Sequence, residues 1–570
     1  MNDITQSQAS GQTSGKADRQ SSGQLSGQMM TQPLLVSSLL THAARHFSDR
    51  EIVSIDEHRA THRYTWKCCA ERAARLADAV ENLGIAPGDR IATLAWNGYR
   101  HLELYYAISG SGRVMHTINP RLHLDQLAFI INDAEDELVF FEKSFLPIVK
   151  ELAPRCKRVK AFVLLGAASD VTPEEGLAGM LFHEDLIARG RAGYQWPVLD
   201  EHSAASLCYT SGTTGNPKGV LYSHRASILH AFASVMPDGF NLSGRDCIMP
   251  AVPMFHVNAW GLPYAAALVG AKLVLPGSAL DGKSLYGLCE TEGVTFSAGV
   301  PTVWQGLLNH VASMRRAFST LQRVVVGGSA CPPAMMDLFK EGYGIDVVHA
   351  FGMTELSPLG TVCTLKDKHL ALPPNAQREI LQTQGRVLYG IDMKVVDDDG
   401  KELPWDGKSA GHLNMRGHWV IDSYFRKPPG SALQDGWFAT GDIAVINADG
   451  YLRITDRIKD VIKSGGEWIG SIDLENIALE HPEVQQAACI GVPHPVWSER
   501  PLLVVVKKPE ATVDKAGIIG FYTGRIAKWW TPEDVVFVEA LPVGGTGKIL
   551  KNRLREQFRD YLLPEAGKHD

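Results

Sequence analysis

The 570-residue sequence predicts an α/β fold: a large N-terminal domain of stacked sheets with flanking helices, and a small, mobile α+β C-terminal domain. Three observations predict it. Short apolar runs bounded by turn residues alternate with helical patterns, as in layered sheets with parallel strands. The chain is too long for one ordinary core, and its 45% apolar content supplies several. Near "YLRITDRIKDVIKSGGEW" the sequence turns charged and Gly-punctuated before a smaller α/β pattern begins.

Residues 1–32 are rich in Ser, Gly and Gln, with SGQ at Ser10, Ser22 and Ser26, and they lack the apolar run of a signal peptide. A disordered tail is expected there, followed by the large domain over 33–455. "ERAARLADAVENLG" sets Ala73, Leu76, Ala77, Val80 and Leu83 on one helical face and stops at Gly84, and "RIATLAW" follows as a strand. "ELVFF", "AFVLL", "KLVLP" and "RVVVGG" read as further strands, and β-rich segments follow Gly385. The most apolar stretch, "AWGLPYAAALVGAKLVLPG", holds Pro263 and Lys272, which favours buried core over a membrane span. A hinge is expected at 456–460. The small domain, 461–570, carries "AACIGV", "LLVVVK" and "DVVFVEALP".

A net charge of −7 without a polybasic run argues against a nucleic-acid partner. Nine scattered cysteines with no C-x-x-C pair suggest neither a zinc site nor a disulfide framework, and a reducing cytoplasm is expected.

The stretch "YTSGTTGNPKGV", 209–220, has the composition of a phosphate cradle, because Gly lets the backbone approach an anion while amides and hydroxyls point inward. It is not the P-loop of NTPases, since Gly rather than Ser or Thr follows Lys218. Four more segments accompany it: "VVVGGSACP", "HAFGMTELSP", "GWFATGDIA" and "GGTGKILKNRLRE". Singly, each reads as an ordinary turn, cap or solvated lysine.

Together, in this order and at these separations, they resemble the adenylate-forming superfamily of acyl-CoA synthetases, adenylation domains and luciferases. "PMFHVNAWGLPYAAALVGAKLVLPG", "VTFSAGVPTVW" and "IKSGGEWIGSIDLEN" are similar to the branch of bacterial medium- and long-chain fatty-acyl-CoA synthetases and methylmercaptopropionate-CoA ligases. The resemblance implies a fatty acid–CoA ligase using ATP, Mg2+ and coenzyme A, and a homodimer as in some relatives. Short-acid ligation, a non-CoA acceptor and a non-catalytic nucleotide-binding protein are the alternatives.

The resemblance also implies the site. Thr210, Ser211, Gly212, Thr213, Thr214, Gly215 and Lys218 would wrap the β- and γ-phosphates. Thr210 and Glu355 would hold magnesium, and Thr354 would contact the α-phosphate. Adenine would lie between the Gly328–Ser329 turn and His349, Ala350, Phe351 and Gly352, where Phe stands in place of the commoner Tyr. Asp442 and Arg457 would bind ribose, and Lys548 would bridge the attacking carboxylate and the α-phosphate. Lys459 would be the pivot of a rotation that brings Lys463, Gly465, Gly466 and Trp468 to the site for the CoA step. His256, Val257 and Trp260 would line the acyl pocket, with His256 orienting or stabilising charge at the acyl carbonyl.

Overall fold

Four sheets organise the chain. The computed structural model describes residues 27–210, 216–465, 467–545 and 547–564. A seven-stranded sheet runs in the spatial order Leu181–Phe182, Ala161–Leu164, Asp136–Phe141, Arg90–Leu94, Val114–Thr117, Ala204–Tyr209, Gly219–Ser223. All its pairings are parallel except the last, where Gly219–Ser223 returns antiparallel to its neighbour. A nine-stranded sheet has six parallel strands at its middle: Asp346–Gly352, Arg323–Val326, Phe296–Gly299, Cys247–Pro250, Lys272–Leu275 and Glu51–Ile55. The β-rich segment after Gly385 makes a third sheet that is antiparallel in all its pairings, from Ile391–Val396 to Leu452–Arg457.

The helices fill the space between these layers. Trp66–Asn82 starts where the Thr65 hydroxyl accepts from the Cys68 amide, and it ends at Leu83, with Gly84 just beyond at φ 74°. Its Ala73, Leu76, Ala77 and Val80 are buried, as its periodicity requires. Within the most apolar stretch, the buried helix Leu262–Val269 leads into the strand Lys272–Leu275. Lys272 is accommodated there because its ammonium reaches Glu292 Oε2 at 3.0 Å. No helix among the described residues is long and apolar enough to cross a membrane.

The small C-terminal domain is a five-stranded mixed sheet built on the long hairpin Val484–His494 and Ser498–Lys507. Apolar clusters cover both its faces, one under Ser471–Glu480 and Lys515–Phe521, the other under Lys551–Gln557. The expected hinge at 456–460 begins inside regular structure. Asp456 and Arg457 end the strand Leu452–Arg457, leaving Ile458–Asp460 as the connecting turn. Strand pairing of Asp442 with Arg457 holds these residues in the large domain's third sheet.

In parallel sheets, loops at the carboxyl ends of the strands collect on one edge, where α/β proteins bind ligands. Three carboxyl ends of the nine-stranded sheet's parallel strands lead here into candidate segments. Cys247–Pro250 leads to His256, Arg323–Val326 to the Gly327–Gly328 turn, and Asp346–Gly352 to Thr354.

Candidate active site

The Thr/Ser/Gly loop is closed at its base like a hairpin. Tyr209 pairs with Gly219, the Thr210 amide donates to Lys218 O at 2.9 Å, and the Lys218 amide donates to Thr210 Oγ1 at 3.2 Å. Ser211, Gly212, Thr213, Thr214 and Gly215 lie outside the described residues. The Lys218 ammonium sits 4.8 Å from the centre of the Tyr424 ring, whose hydroxyl donates to Glu355 Oε1 at 2.9 Å. Thr354 is fixed from below, its carbonyl accepting from Tyr222 Oη at 2.6 Å. Lys218 and Glu355 thus meet on Tyr424, while Thr354, next to Glu355 in the chain, is held separately by Tyr222.

Lys548 arrives from the small domain on a tight loop. Val543 bridges Ile549, and the Gly544 amide donates to Lys548 O at 2.7 Å. Two large-domain side chains dock this loop: Thr302 Oγ1 donates to Gly547 O at 3.0 Å, and Arg121 Nη1 to Gly545 O at 2.9 Å. The lysine Cε then lies 3.3 Å from the point where a Cβ on Gly328 would stand, and Gly328 holds φ at 81°. Burial pushes the Lys548 pKa down to about 8, helped by the Arg457 charge and opposed by Asp442 and Glu355.

Asp442 is 3% exposed, with Oδ1 3.5 Å from Arg457 Nε. Its Oδ2 is buried and has no hydrogen-bond partner among the described residues. Burial raises its pKa despite the guanidinium. A carboxylate oxygen buried in this way is costly unless something donates to it.

On the far side of the Gly328 turn, His349 is buried, accepting from the Cys331 amide at 3.3 Å and meeting Gln382 O at 3.2 Å. Its ring therefore anchors neighbouring loops, and burial drives its pKa down to about 4. Ala350 and Phe351 are nearly buried in the main core, Gly352 ends the strand, and Ser329 is exposed. A cavity of about 490 Å3 is lined by Ala330, His349 and Gln384, by Arg453 and Ile454, and by small-domain residues including Trp530.

His256, Val257 and Trp260 share one unusual turn. Val257, Asn258, Ala259, Trp260 and Gly261 all have positive φ, between 46° and 77°. That is a left-handed helical turn, costing about 1–2 kcal/mol at each non-Gly residue. The Trp260 ring lies 3.3 Å from a Cβ position on Gly327 and 3.8 Å from that on Gly328. Burial and the Lys548 charge push the His256 pKa down to about 3, leaving a neutral imidazole at ordinary pH.

Lys463, Gly465 and Trp468 have different neighbours. Lys463 pairs with Trp468 across a hairpin, its amide donates to Glu499 Oε2 at 3.0 Å, and the Trp468 ring faces His412. The Gly465 amide donates to Trp497 O at 2.9 Å, and Gly466 lies outside the described residues. Lys459 is exposed in the connecting turn. Among the described residues, no hydrogen bond, ion pair or ring contact joins Lys463, Gly465 or Trp468 to Lys548.

Residues 40–425 match the family described as AMP-binding enzyme. The chain belongs to that family. Residues 473–548 of this AMP-binding enzyme match the family's C-terminal domain. It is 53% identical to a 3-methylmercaptopropionyl-CoA ligase of Ruegeria lacuscaerulensis over 94% of this chain and 99% of that one. It is 52% identical to a medium-chain-fatty-acid–CoA ligase of Ectopseudomonas oleovorans, over 94% and 98%, and 42% identical to a long-chain-fatty-acid–CoA ligase of Thermus thermophilus, over 93% and 97%. The fold is similar to that of the anthranilate CoA ligase AuaEII in complex with anthranoyl-AMP, with a TM-score of 0.82 at 24% identity, over 92% of this chain and 98% of that one.

Several contacts of this AMP-binding enzyme's site escaped the sequence reading: Tyr222 and Tyr424 behind Thr354 and Glu355, and Arg121 and Thr302 beneath the Lys548 loop. No local pattern marks them. Their partners are 69 to 424 residues away in the chain.

Proposed function

We propose that this AMP-binding enzyme is an AMP-forming acid–thiol ligase that activates a medium- or long-chain fatty acid with ATP as acyl-AMP and passes the acyl group to coenzyme A. The observation that carries the reading is a small-domain lysine, Lys548, docked against the Gly328 turn beside a buried carboxylate with one unpaired oxygen, Asp442.

A carboxylate resists thiol attack because it is anionic and lacks a good leaving group. Joining it to AMP supplies the leaving group but first sets anion against anion. Catalysis then rests on positioning and on positive charge where the anions meet. Lys548 has that place in this reading, with Lys218 and the Thr210–Gly215 loop around the outer phosphates. The unpaired Oδ2 of Asp442 suits donation from ribose hydroxyls, and Arg457 completes that side. Adenine would lie between the Gly328–Ser329 turn and the 349–352 strand end. Phe351 offers a ring without a phenol.

Magnesium fits the oxygen donors present, the Glu355 carboxylate oriented by Tyr424 and the Thr210 hydroxyl. When bound, it would neutralise phosphate charge. Neutral His256 would donate a hydrogen bond at the acyl carbonyl, with Val257 and Trp260 along the chain.

The second half-reaction needs the thiol where Lys548 stands. Rotation of 461–570 about Lys459, through a hinge at 456–460, would withdraw Lys548 and present Lys463, Gly465, Gly466 and Trp468. The separate surroundings of Lys548 and of the 462–469 hairpin support two such arrangements. Cytoplasmic residence and pairing as a homodimer complete the reading, the latter checked by sedimentation.

The nearly equal identities to methylmercaptopropionyl- and medium-chain-fatty-acid–CoA ligases favour a second reading, a short sulfur-containing acid as substrate. AMP release from ATP, with and without CoA, across saturated acids from acetate to palmitate and 3-methylmercaptopropionate, decides between them. A CoA-dependent maximum at a fatty acid supports the first reading. A maximum at 3-methylmercaptopropionate replaces it with the second, and AMP release indifferent to CoA overturns both.

A further inference from the structure

The left-handed turn Val257–Gly261 needs something to hold it, because only glycine adopts such a backbone readily and four of its five residues are not glycine. Asparagine tolerates this region better than most, and Asn258 stands inside the turn. Its side chain is buried and points away from Lys548, into the neighbouring seven-stranded sheet. The amide nitrogen donates to Ser206 Oγ at 3.0 Å. The amide oxygen accepts from Thr117 Oγ1 at 3.4 Å and from the Cys208 thiol at 3.7 Å. Ser206 and Cys208 share one strand, and Thr117 pairs with Cys208 on the next.

The backbone repeats the pattern. Ala259 N donates to His256 O at 3.2 Å and Gly261 N to Asn258 O at 3.0 Å, so the turn moves as one piece. Upstream, Asn97 Nδ2 donates to Pro250 O and Val252 O, both at 2.9 Å, and Tyr105 Oη donates to Met254 O at 2.5 Å. Those bonds fix the approach to the turn. Only Asn258, among its side chains, ties the turn to the seven-stranded sheet through hydrogen bonds described here. The opposite side presents Trp260 to the Gly327–Gly328 turn.

We infer that Asn258 is a positioning residue for acid selection: its amide clamps the left-handed turn between the two large sheets and so sets where the Trp260 indole stands along the acyl chain. The inference rests on the acid-activating function proposed above. None of the hydrogen-bond partners of the Asn258 side chain is among the residues assigned to ATP, so the effect of the clamp is expected on the acid more than on ATP. Losing it lets the indole shift and changes which acids fit.

The test compares Asn258→Ala and Asn258→Gly with the parent in acid-dependent pyrophosphate exchange, over acids from butyrate to palmitate and 3-methylmercaptopropionate. The glycine variant keeps the backbone free to adopt the turn while removing the amide. In both variants the expected result is a tenfold or larger change in the ratio of kcat/KM between the best and poorest acids. The KM for ATP should stay within twofold, and thermal unfolding should remain cooperative.

An unchanged acid profile in both variants overturns the inference. So does an altered profile in Asn258→Ala with a parental one in Asn258→Gly, because backbone conformation and not the amide clamp would then be responsible. A parallel fall in acid and ATP parameters also overturns it, marking a general structural role. Failure of the parent to exchange pyrophosphate with any acid would instead remove the underlying functional proposal.

Discussion

Lys548 and Gly328 are neighbours from different domains: the lysine Cε lies 3.3 Å from the position a Cβ on Gly328 would take. With φ at 81°, Gly328 is also in a region that side chains avoid. Gly328→Ala should therefore both strain the turn and crowd the lysine. Adenylate formation should fall at least tenfold, and by clearly more than conversion of supplied acyl-AMP to acyl-CoA, which shares the adenine contact but does not need Lys548. Pyrophosphate exchange and thioester formation, measured separately, check this; equal losses in both would contradict it.

The Lys548 pKa of about 8 has a kinetic consequence. Burial disfavours the charged form, so the free enzyme loses this proton as pH rises through about 8, well below the ordinary lysine range. A bridging lysine acts only when charged. In pyrophosphate exchange, kcat/KM for ATP should therefore decline above about pH 8, approaching tenfold per pH unit. The same limb in kcat should move to higher pH, because bound polyphosphate favours the ammonium. A kcat/KM profile flat to pH 10 would contradict the assignment.

Asp442 carries an unpaired buried oxygen, and burial raises its pKa. Asp442→Asn keeps the shape, removes the buried charge and turns part of an acceptor into a donor. The KM for ATP should rise about tenfold, in line with losing a charge-assisted hydrogen bond of about 1.4 kcal/mol. Stability should change little, since the desolvation cost of the buried carboxylate, which outweighs its attraction to Arg457, is removed together with that attraction. Initial rates and thermal unfolding test the two halves independently.

Docking of the Lys548 loop can be weakened without touching the lysine. Thr302→Val removes the hydroxyl that donates to Gly547 O and keeps the side-chain shape. At about 1 kcal/mol for one hydrogen bond, adenylation should slow about fivefold. Thioester formation from supplied acyl-AMP should be unaffected or faster. A slower thioester step would mean that this contact is also used in the second arrangement.

Much of this architecture was legible in the sequence because it is local. Alternating apolar runs and the Gly84 stop mark strands and helix ends that depend on neighbours a few residues away, and the strands at 136–141, 161–164, 272–275 and 323–326 all form. The Thr/Ser/Gly loop and the lysine at 548 stand out by composition and order. What stayed hidden depends on distant contacts. Tyr424 matters only because folding brings Glu355 within 2.9 Å across 69 residues, and Asn258 because Thr117, 141 residues away, meets its amide. "VNAW" has no glycine to announce a left-handed turn; the surrounding hydrogen bonds impose it. The charge pattern that suggests a hinge at 456–460 overlaps regular structure: strand pairing with Asp442 extends the third sheet through Arg457, and Ile458–Asp460 form the connecting turn.

The central claim is that one site runs two reactions, with Lys548 serving only the first. Its most direct test is Lys548→Ala, assayed for acid-dependent pyrophosphate exchange and, separately, for conversion of supplied acyl-AMP and CoA to acyl-CoA. The account predicts exchange reduced by about 100-fold or more, the scale of losing a main electrostatic contact to the reacting charge, with thioester formation close to the parent's. Equal loss of both activities would contradict the division of labour between Lys548 and the 462–469 hairpin.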